Sequence, residues 1–301
     1  MIAPSVLEHR EANSSVGDAL TYDSFFMTAP ILVFDSGVGG LSVLSHLRAR
    51  LPQRTFIYVC DNAALPYGTK PMSWLQSRIV AVCRAAVRKT EACALVVACN
   101  TASTVALAEL RSALDVPVIG TVPAIKPAAE QTRSGVIGVL ATTATVQGDY
   151  LKRLMARFSP QCDVVRVAAD ALVEQAERKL RGEALDEQVL EATLAPLWTT
   201  DARLDTVVLG CTHFPLLRHE CDQTARLHGQ TGLLWLDSGA AIARRTACVV
   251  GDQPSITDAV LAPPAAYSLA TAPDAPGLAR ALSGMGVPPA RALLVARAAR
   301  A

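Results

Sequence analysis

Two cysteines of this 301-residue chain lie in segments that are built alike. Cys99 stands in "LVVACNTAST" and Cys211 in "VVLGCTHFPLL". In both segments an apolar run leads into the cysteine, and small polar residues follow it. A cysteine at the junction of a strand and a helix has its thiolate stabilised by free backbone N–H groups and by the helix dipole. We therefore expect both thiols to have a pKa lowered from about 8.5 towards neutrality, and to act as nucleophiles or bases.

Three kinds of protein fit such a pair of cysteines. Cys211 with His213, the best placed of the five histidines, fits covalent acyl transfer in a thiol hydrolase, but the second cysteine would then have no task. Two opposed thiols fit the inversion of a stereocentre without a cofactor, in which one removes a proton from carbon and the other returns one on the opposite face. The plain alternative is two buried cysteines that pack as small apolar side chains. The polar residues that follow both cysteines weigh against it.

Other polar residues follow apolar runs in the same way. These clusters are Asp35-Ser36, Asn100-Thr101, Thr142-Thr143 and Thr212-His213. Ligands of open parallel sheets bind beyond the carboxyl ends of the strands, and N–H groups with Asn, Ser and Thr side chains form a cradle for a carboxylate. Asp35 either points into such a cleft or only caps the next helix. Residues 61–70 ("DNAALPYGTK") either cover the cleft as a loop or merely connect two elements.

Apolar runs and helical spacing alternate along the chain. The runs that predict buried strands are Ile31–Phe34, Thr55–Val59, Ala94–Ala98, Val116–Ile119, Val136–Leu140, Cys162–Val167, Val207–Leu209 and Leu233–Leu236. After Pro71, a helix is predicted whose apolar face comprises Leu75, Ile79, Val82, Cys83 and Ala86. "ILVFDSG" and "GVIGVLATT" each open a half of a faint repeat. We therefore predict two similar α/β domains, each a doubly wound, mainly parallel sheet, that face each other across a cleft.

The composition excludes several other classes of protein. The net charge of +1 gives no support for a nucleic-acid or acidic-membrane partner, and no apolar stretch approaches the length of a membrane helix. The eight cysteines form no CxxC pair, so we expect no metal site and no disulfide scaffold, but a cytoplasmic protein with reduced thiols. No lysine lies in a strand-end cluster, and "FDSGVGG" lacks the GxGxxG spacing, so neither pyridoxal phosphate nor a dinucleotide is expected.

Several motifs resemble the aspartate/glutamate racemase family, in particular its bacterial members that act on glutamate. They are "VFDSGVGGLSVL", "DNAALPYGTK", "VVACNTASTVAL", "VPVIGTVPAIKPAA", "VVLGCTHFPLL" and "LDSGAAIARR", which together span about residues 30–250. The resemblance implies interconversion of L- and D-glutamate without a cofactor, for peptidoglycan synthesis. It also implies the two-domain fold of this family, in which the chain re-enters a discontinuous first domain near "LWLDSGAAIARR".

The resemblance assigns roles to individual positions. Cys99 matches the base that deprotonates D-glutamate and Cys211 the one that acts on L-glutamate, while Asp35 and His213 match the residues that assist them. The positions that match substrate-binding residues are Asp35, Ser36, Tyr67, Gly68, Asn100, Thr101, Thr212 and His213. An assisting glutamate of the family falls in "LVEQAERKL", where the alignment favours Glu177 over Glu174.

The domain boundaries and partners follow from the same comparison. We predict an N-terminal extension (1–28), a first domain with Cys99 (29–122 and 236–285), a second domain with Cys211 (123–235) and a C-terminal tail (286–301). The extension is similar to that of members from Gram-negative bacteria, some of which a muramyl nucleotide activates. The expected partners are glutamate and such a nucleotide, in a monomer or a homodimer. A racemase for aspartate and a regulatory binding module remain alternatives, the latter because some members are reported to bind DNA gyrase.

Overall fold

The fold consists of two parallel sheets, each covered by helices. A computed structural model describes residues 29–251, 265 and 267–295. The predicted extension (1–28) and residues 252–264, 266 and 296–301 lie outside the described residues. No helix among the residues that the structure describes is long and apolar enough to span a membrane.

Strands and helices alternate along most of the chain. The strands are β1 (Ile31–Asp35), β2 (Phe56–Cys60), β3 (Ala94–Val97), β4 (Val118–Gly120), β5 (Val136–Ala141), β6 (Asp163–Ala168), β7 (Thr206–Leu209), β8 (Leu234–Leu236), β9 (Ser268–Ala270) and β10 (Ala290–Ala292). The helices are α1 (Leu41–Arg50), α2 (Met72–Thr90), α3 (Asn100–Ala113), α4 (Ile125–Gln131), α5 (Thr143–Gln147), α6 (Asp149–Phe158), α7 (Ala171–Arg181), α8 (Glu187–Leu194), α9 (Pro196–Thr200), α10 (Arg218–Leu227), α11 (Gly239–Val250) and α12 (Leu278–Gly284). Short 3₁₀ helices span Asn62–Ala64, Tyr67–Thr69 and Phe214–Leu217.

The two sheets repeat one strand order, which confirms the repeat seen in the sequence. The first sheet runs β10-β9-β2-β1-β3-β4 and the second β6-β5-β7-β8. All paired strands are parallel. β2-β1-β3-β4 therefore corresponds to β6-β5-β7-β8, and β3 corresponds to β7. Since Cys99 follows β3 and Cys211 follows β7, the two cysteines occupy equivalent positions in the two halves.

Both faces of each sheet are buried, which explains why the strands read as continuous apolar runs. In β1, Ile31 and Val33 belong to the core on one face, whereas Leu32 and Phe34 belong to the core on the other. The cores on both faces of the second sheet divide the residues of β5 in the same way. The prediction of doubly wound, mainly parallel sheets is therefore confirmed. The predicted apolar face of α2 is buried as expected, although the helix begins at Met72 and Pro71 precedes it.

The C-terminal part of the chain departs from the prediction. Residues 286–301 were expected to form a tail, but Ala290–Ala292 pairs with β9 as the edge strand of the first sheet. The short apolar runs of β9 and β10 were hidden in an Ala-rich background, so no strand was predicted there. The chain returns to the first core at α11, whose Ile242, Ala243 and Ala247 are buried there. β8, including Leu236, belongs to the second sheet.

Candidate active site

Both cysteines line one small cavity at the carboxyl ends of the strands. Cys99 is the residue before α3, and Cys211 follows β7 after one glycine. The lining comprises Ser36, Leu65, Pro66, Tyr67, Gly68, Thr69, Cys99, Asn100, Thr101, Thr142, Asp170, Val173, Cys211, Thr212 and His213. Elements of both halves contribute to it. A cavity lined by both cysteines and by elements of both halves is therefore present.

Cys99 is a buried thiol beside a carboxylate. Its Sγ accepts a hydrogen bond from the backbone N–H of Ala102 at 3.5 Å, and lies 3.8 Å from Ser36 Oγ. Burial raises the pKa of Cys99 well above its ordinary value, and the nearby charge of Asp35 raises it further, against the lowering effect of the Ala102 N–H. The expectation of a pKa near neutrality at Cys99 was wrong, since the loss of hydration outweighs the helix N-terminus. Burial and the charge of Asp35 thus favour the protonated form of the Cys99 thiol.

Cys211 faces an imidazole that is itself held by a buried carboxylate. His213 Nδ1 lies 3.7 Å from Cys211 Sγ, and His213 Nε2 lies 2.8 Å from Glu177 Oε1. Burial alone lowers the pKa of His213, but hydrogen bonds with Cys211 and Glu177 outweigh it and hold this pKa well above its ordinary value. A protonated His213 stabilises negative charge on Cys211 Sγ. The alignment with the family that the sequence resembles favours Glu177 over Glu174, and it is Glu177 that contacts His213, whereas Glu174 pairs with Arg181.

The Glu177–His213 pair makes the stability of the protein depend on pH. Burial raises the pKa of Glu177, but hydrogen bonds from His213 and from the Val38 N–H (2.9 Å) bring it below its ordinary value. The lowered pKa of Glu177 contributes stability above about pH 4.5, which is lost as the pH falls through the folded-state pKa. The raised pKa of His213 contributes stability below about pH 6.5, which is lost as the pH rises through the folded-state pKa.

The substitution Glu177→Gln is therefore expected to lower the free energy of unfolding most between about pH 4.5 and 6.5. The expected loss is about 2 kcal/mol, typical of a buried hydrogen bond to a charged group. Urea unfolding across this pH range measures it. Glu130→Gln, in an exposed pair with Lys126, is the control and is expected to change little at any pH. A loss at Glu177→Gln that does not vary with pH would contradict the pairing.

Asp35 joins the two halves beside Cys99. The carboxylate accepts hydrogen bonds from the N–H groups of Ser36 (2.6 Å) and Gly40 and from the Thr212 hydroxyl (3.3 Å). Burial raises the pKa of Asp35, and the positive charge of His213 opposes the rise. The Asp35 carboxylate accepts the Gly40 N–H just before α1 and lies beside the Cys99 thiol, but Asp35 is not among the residues that line the cavity.

The glycines of "FDSGVGG" make room for side chains of the site. A Cβ at Gly37 would collide with Glu177 Oε1, and a Cβ at Gly40 would lie 2.9 Å from Asp35 Cβ. A Cβ at Gly39 would lie 2.7 Å from His213 Cε1 and 2.8 Å from its Cγ. The absence of a side chain at these three positions lets Glu177, His213 and Asp35 approach the loop.

Gly39→Ala is therefore expected to displace the His213 imidazole and to reduce turnover by roughly 10- to 100-fold, part of what a positioned acid–base group contributes. His213 is only 2% exposed and cannot swing into solvent. Gly284→Ala is the matched control, because a Cβ there meets no atom within 4 Å. Steady-state kinetics of both variants check the prediction, and unchanged turnover in Gly39→Ala would contradict it.

The remaining predicted positions also lie at the cavity, although in different ways. Asn100 is buried, and within the described part of the chain its Oδ1 has no hydrogen-bond partner. Thr101 and Gly68 line the cavity, whereas the Tyr67 hydroxyl donates to Asp61 at 2.8 Å. Asp170 was not predicted, although it follows β6 by two residues and the strand-end rule would have found it. No group of three His, Cys, Asp or Glu side chains in the described ranges could hold a metal ion.

Comparison with known proteins agrees with the resemblance in the sequence. A sequence profile described as Asp/Glu/Hydantoin racemase matches residues 41–246. Glutamate racemase of Proteus mirabilis is 46% identical over 252 residues, which cover 83% of this chain and 86% of that protein. Glutamate racemase of Shewanella oneidensis is 50% identical over 219 residues, which cover 73% and 78%.

Solved structures agree with these relatives. The crystal structure of Escherichia coli glutamate racemase in complex with L-glutamate and the activator UDP-MurNAc-ala has a TM-score of 0.80 at 43% identity, and covers 89% of this chain and 100% of that chain. The glutamate racemase isoform RacE1 from Bacillus anthracis has a TM-score of 0.73 at 29% identity, with coverages of 88% and 96%. The chain therefore belongs to the Asp/Glu/hydantoin racemase family and, within it, to the glutamate racemases.

Proposed function

We propose that this protein interconverts L- and D-glutamate by a two-base mechanism in which Cys211 and Cys99 act on opposite faces of Cα. The observation that carries the proposal is the pair of thiols at equivalent strand ends of two repeated sheets, both facing one cavity. Each thiol has its own polar partners, His213 with Glu177 at Cys211 and Asp35 with Ser36 at Cys99.

The reaction starts with the two thiols in opposite protonation states. With L-glutamate bound, the Cys211 thiolate takes the α-proton, so the Cα–H bond breaks and an S–H bond forms. The Cys99 thiol then gives its proton to the other face of Cα. D-Glutamate leaves behind a Cys99 thiolate and a Cys211 thiol, which is the form that runs the reverse reaction. The raised pKa of Cys99 and the protonated His213 beside Cys211 favour the form that accepts L-glutamate.

The carbanion requires strong stabilisation, because an α-proton is far less acidic than a thiol. The N-terminus of α3 offers backbone N–H groups to the α-carboxylate, and Thr101 and Thr212 offer hydroxyls beside them. The Asn100 Oδ1 is a buried acceptor that the substrate ammonium can satisfy. The site thus offers partners to the α-carboxylate and the ammonium of the substrate without an arginine or lysine among its lining residues.

The proposal extends to the setting of the reaction. The D-glutamate formed supplies peptidoglycan synthesis. The reaction takes place in the cytoplasm, where the eight free cysteines stay reduced. The E. coli relative binds the activator UDP-MurNAc-ala. We infer that the present protein responds to the same class of muramyl nucleotide.

A direct test incubates the purified protein with L-glutamate and no added cofactor, and follows both enantiomers by chiral chromatography. We expect D-glutamate to accumulate until the two enantiomers are present in equal amounts, and we expect L-aspartate to be racemised far more slowly. The Cys99→Ala protein, prepared in parallel, controls for contaminating racemase. Preference for aspartate, or no D-glutamate even with UDP-MurNAc-ala, would contradict the proposed substrate.

The role of residues 1–28 can be tested in the same assay. We expect UDP-MurNAc-ala to increase turnover by the full-length chain, and to increase it less when residues 1–28 are deleted. Titration of the nucleotide against both proteins measures the difference. Turnover that is independent of the nucleotide in both proteins would rule out this regulation.

A further inference from the structure

A partly buried ion pair lies behind the loop that carries Tyr67 and Gly68. Asp61 follows β2 and is completely buried. Arg78 of α2 donates two hydrogen bonds to its carboxylate, from Nε to Oδ2 at 2.9 Å and from Nη2 to Oδ1 at 2.7 Å. The burial of a carboxylate costs free energy unless hydrogen-bond donors satisfy it, so the presence of Asp61 at this position indicates a role in the local structure.

Asp61 also holds the loop through the Tyr67 side chain. The Tyr67 hydroxyl donates to Asp61 Oδ2 at 2.8 Å, and the residue is 3% exposed. Burial raises the pKa of Tyr67, and the charge of Asp61 raises it further, so the hydroxyl keeps its proton and remains the donor. Because the hydroxyl is committed to Asp61, residues 67 and 68 meet a ligand with their main chain. A Cβ at Gly68 would lie 3.2 Å from Asp170 Oδ1 of the second half, so Gly68 lies close to the opposite wall of the cavity.

The residues that follow β9 add further hydrogen bonds to Asp61 and to the start of the loop. β9 pairs with β2, and Thr271 directly after β9 donates its hydroxyl to Asp61 Oδ1 at 2.8 Å. The same Thr271 Oγ1 accepts the N–H of Ala63 at 3.1 Å. Asn62 exchanges two hydrogen bonds with the main chain of Ala272, at 2.7 and 2.9 Å. The start of the loop is therefore fixed to a segment that lies more than 200 positions later in the chain.

We infer that Asp61 is a positioning residue for racemisation. Arg78 and Thr271 hold its carboxylate, and the carboxylate in turn fixes the Tyr67 hydroxyl. This contact sets the Tyr67–Gly68 main chain as a donor for a substrate carboxylate. The inference rests on the proposed function. It implies that the segment at β9 helps to position the loop of the active site. Donors that hold an unreacting carboxylate bind the substrate and the transition state equally. Their loss raises KM and leaves kcat almost unchanged.

Tyr67→Phe and Thr271→Val remove one hydroxyl each and leave the packing in place. We expect the KM for glutamate to rise about tenfold in Tyr67→Phe, as for the loss of a hydrogen bond to a charged group, and about threefold in Thr271→Val, with kcat within twofold of the parent. Because both hydroxyls act through Asp61, the double variant is expected to show less than the product of the two effects. Tyr150→Phe, at a half-buried tyrosine that lies outside the cavity, is the matched control.

Amide hydrogen exchange without substrate separates this inference from the proposed function. We expect the exchange of residues 61–70 to accelerate about tenfold in Tyr67→Phe and Thr271→Val, and to stay at the parent rate in Tyr150→Phe. If the parent fails to racemise glutamate, the proposed function fails, while the exchange rates still decide whether Asp61 holds the loop. Parent-like exchange in both variants, or an unchanged KM, would overturn the inference. So would a fall in kcat at unchanged KM.

Discussion

Cys99→Ala and Cys211→Ala are each expected to reduce kcat by roughly 10³- to 10⁴-fold, and to do so with either enantiomer as substrate. Each direction of the reaction needs one thiol to remove a proton and the other to return one. The loss of either thiol therefore impairs both directions. L- and D-Glutamate have equal free energies in water, so kcat/KM must fall by the same factor in both directions. Chiral chromatography from each pure enantiomer measures both rates.

Two other cysteines provide controls for this prediction. Cys248 is exposed on α11, and Cys248→Ala is expected to leave the kinetics unchanged. Cys221 is buried in the core of the second half, so Cys221→Ala is expected to lower stability while kcat stays close to that of the parent. Parent-like turnover in either Cys99→Ala or Cys211→Ala would exclude the two-base mechanism and favour an enzyme with one base.

His213→Asn is expected to lower kcat by about 10²-fold, the lower end of the contribution of an acid–base group. The asparagine removes the positive charge 3.7 Å from Cys211 Sγ and leaves the buried Glu177 carboxylate without its imidazole partner. Proton removal from L-glutamate becomes more strongly rate-limiting. The kinetic isotope effect with α-deuterated L-glutamate is therefore expected to rise more than that with α-deuterated D-glutamate.

The exposed His219 is the control for this substitution. His219→Asn is expected to keep the parent kcat and both isotope effects. Equal isotope effects for the two enantiomers in His213→Asn, or a larger rise for D-glutamate, would show that His213 does not act on the face assigned to Cys211.

The sequence predicted the strand ends well because parallel strands that are buried on both faces leave a strong signal. The apolar runs before Cys99 and Cys211 located β3 and β7, and the polar residues after them located the cavity. By contrast, β9 and β10 are three residues each, and their position at the edge of the first sheet depends on pairing with distant β2. Local sequence carries little information about such pairing.

The electrostatics of the site depend on contacts that the sequence does not display. The position of Cys99 before a helix suggested a lowered pKa, but burial and Asp35 raise it. Glu177 reaches His213 and the Val38 N–H only because Gly37 lacks a side chain. A sequence motif identifies these residues, but it does not show which of them are in contact.

The most direct measurement of the central claim is the isotope distribution at low conversion of unlabelled L-glutamate in D2O. At a few per cent conversion, the two enantiomers are separated and the α-position of each is analysed by mass spectrometry. The two-thiol mechanism predicts deuterium at Cα in the D-glutamate formed and protium in the remaining L-glutamate, because the proton removed and the proton returned come from different groups. D-Glutamate that retains the α-protium of the substrate, through return of the same proton by a single base, would contradict the account.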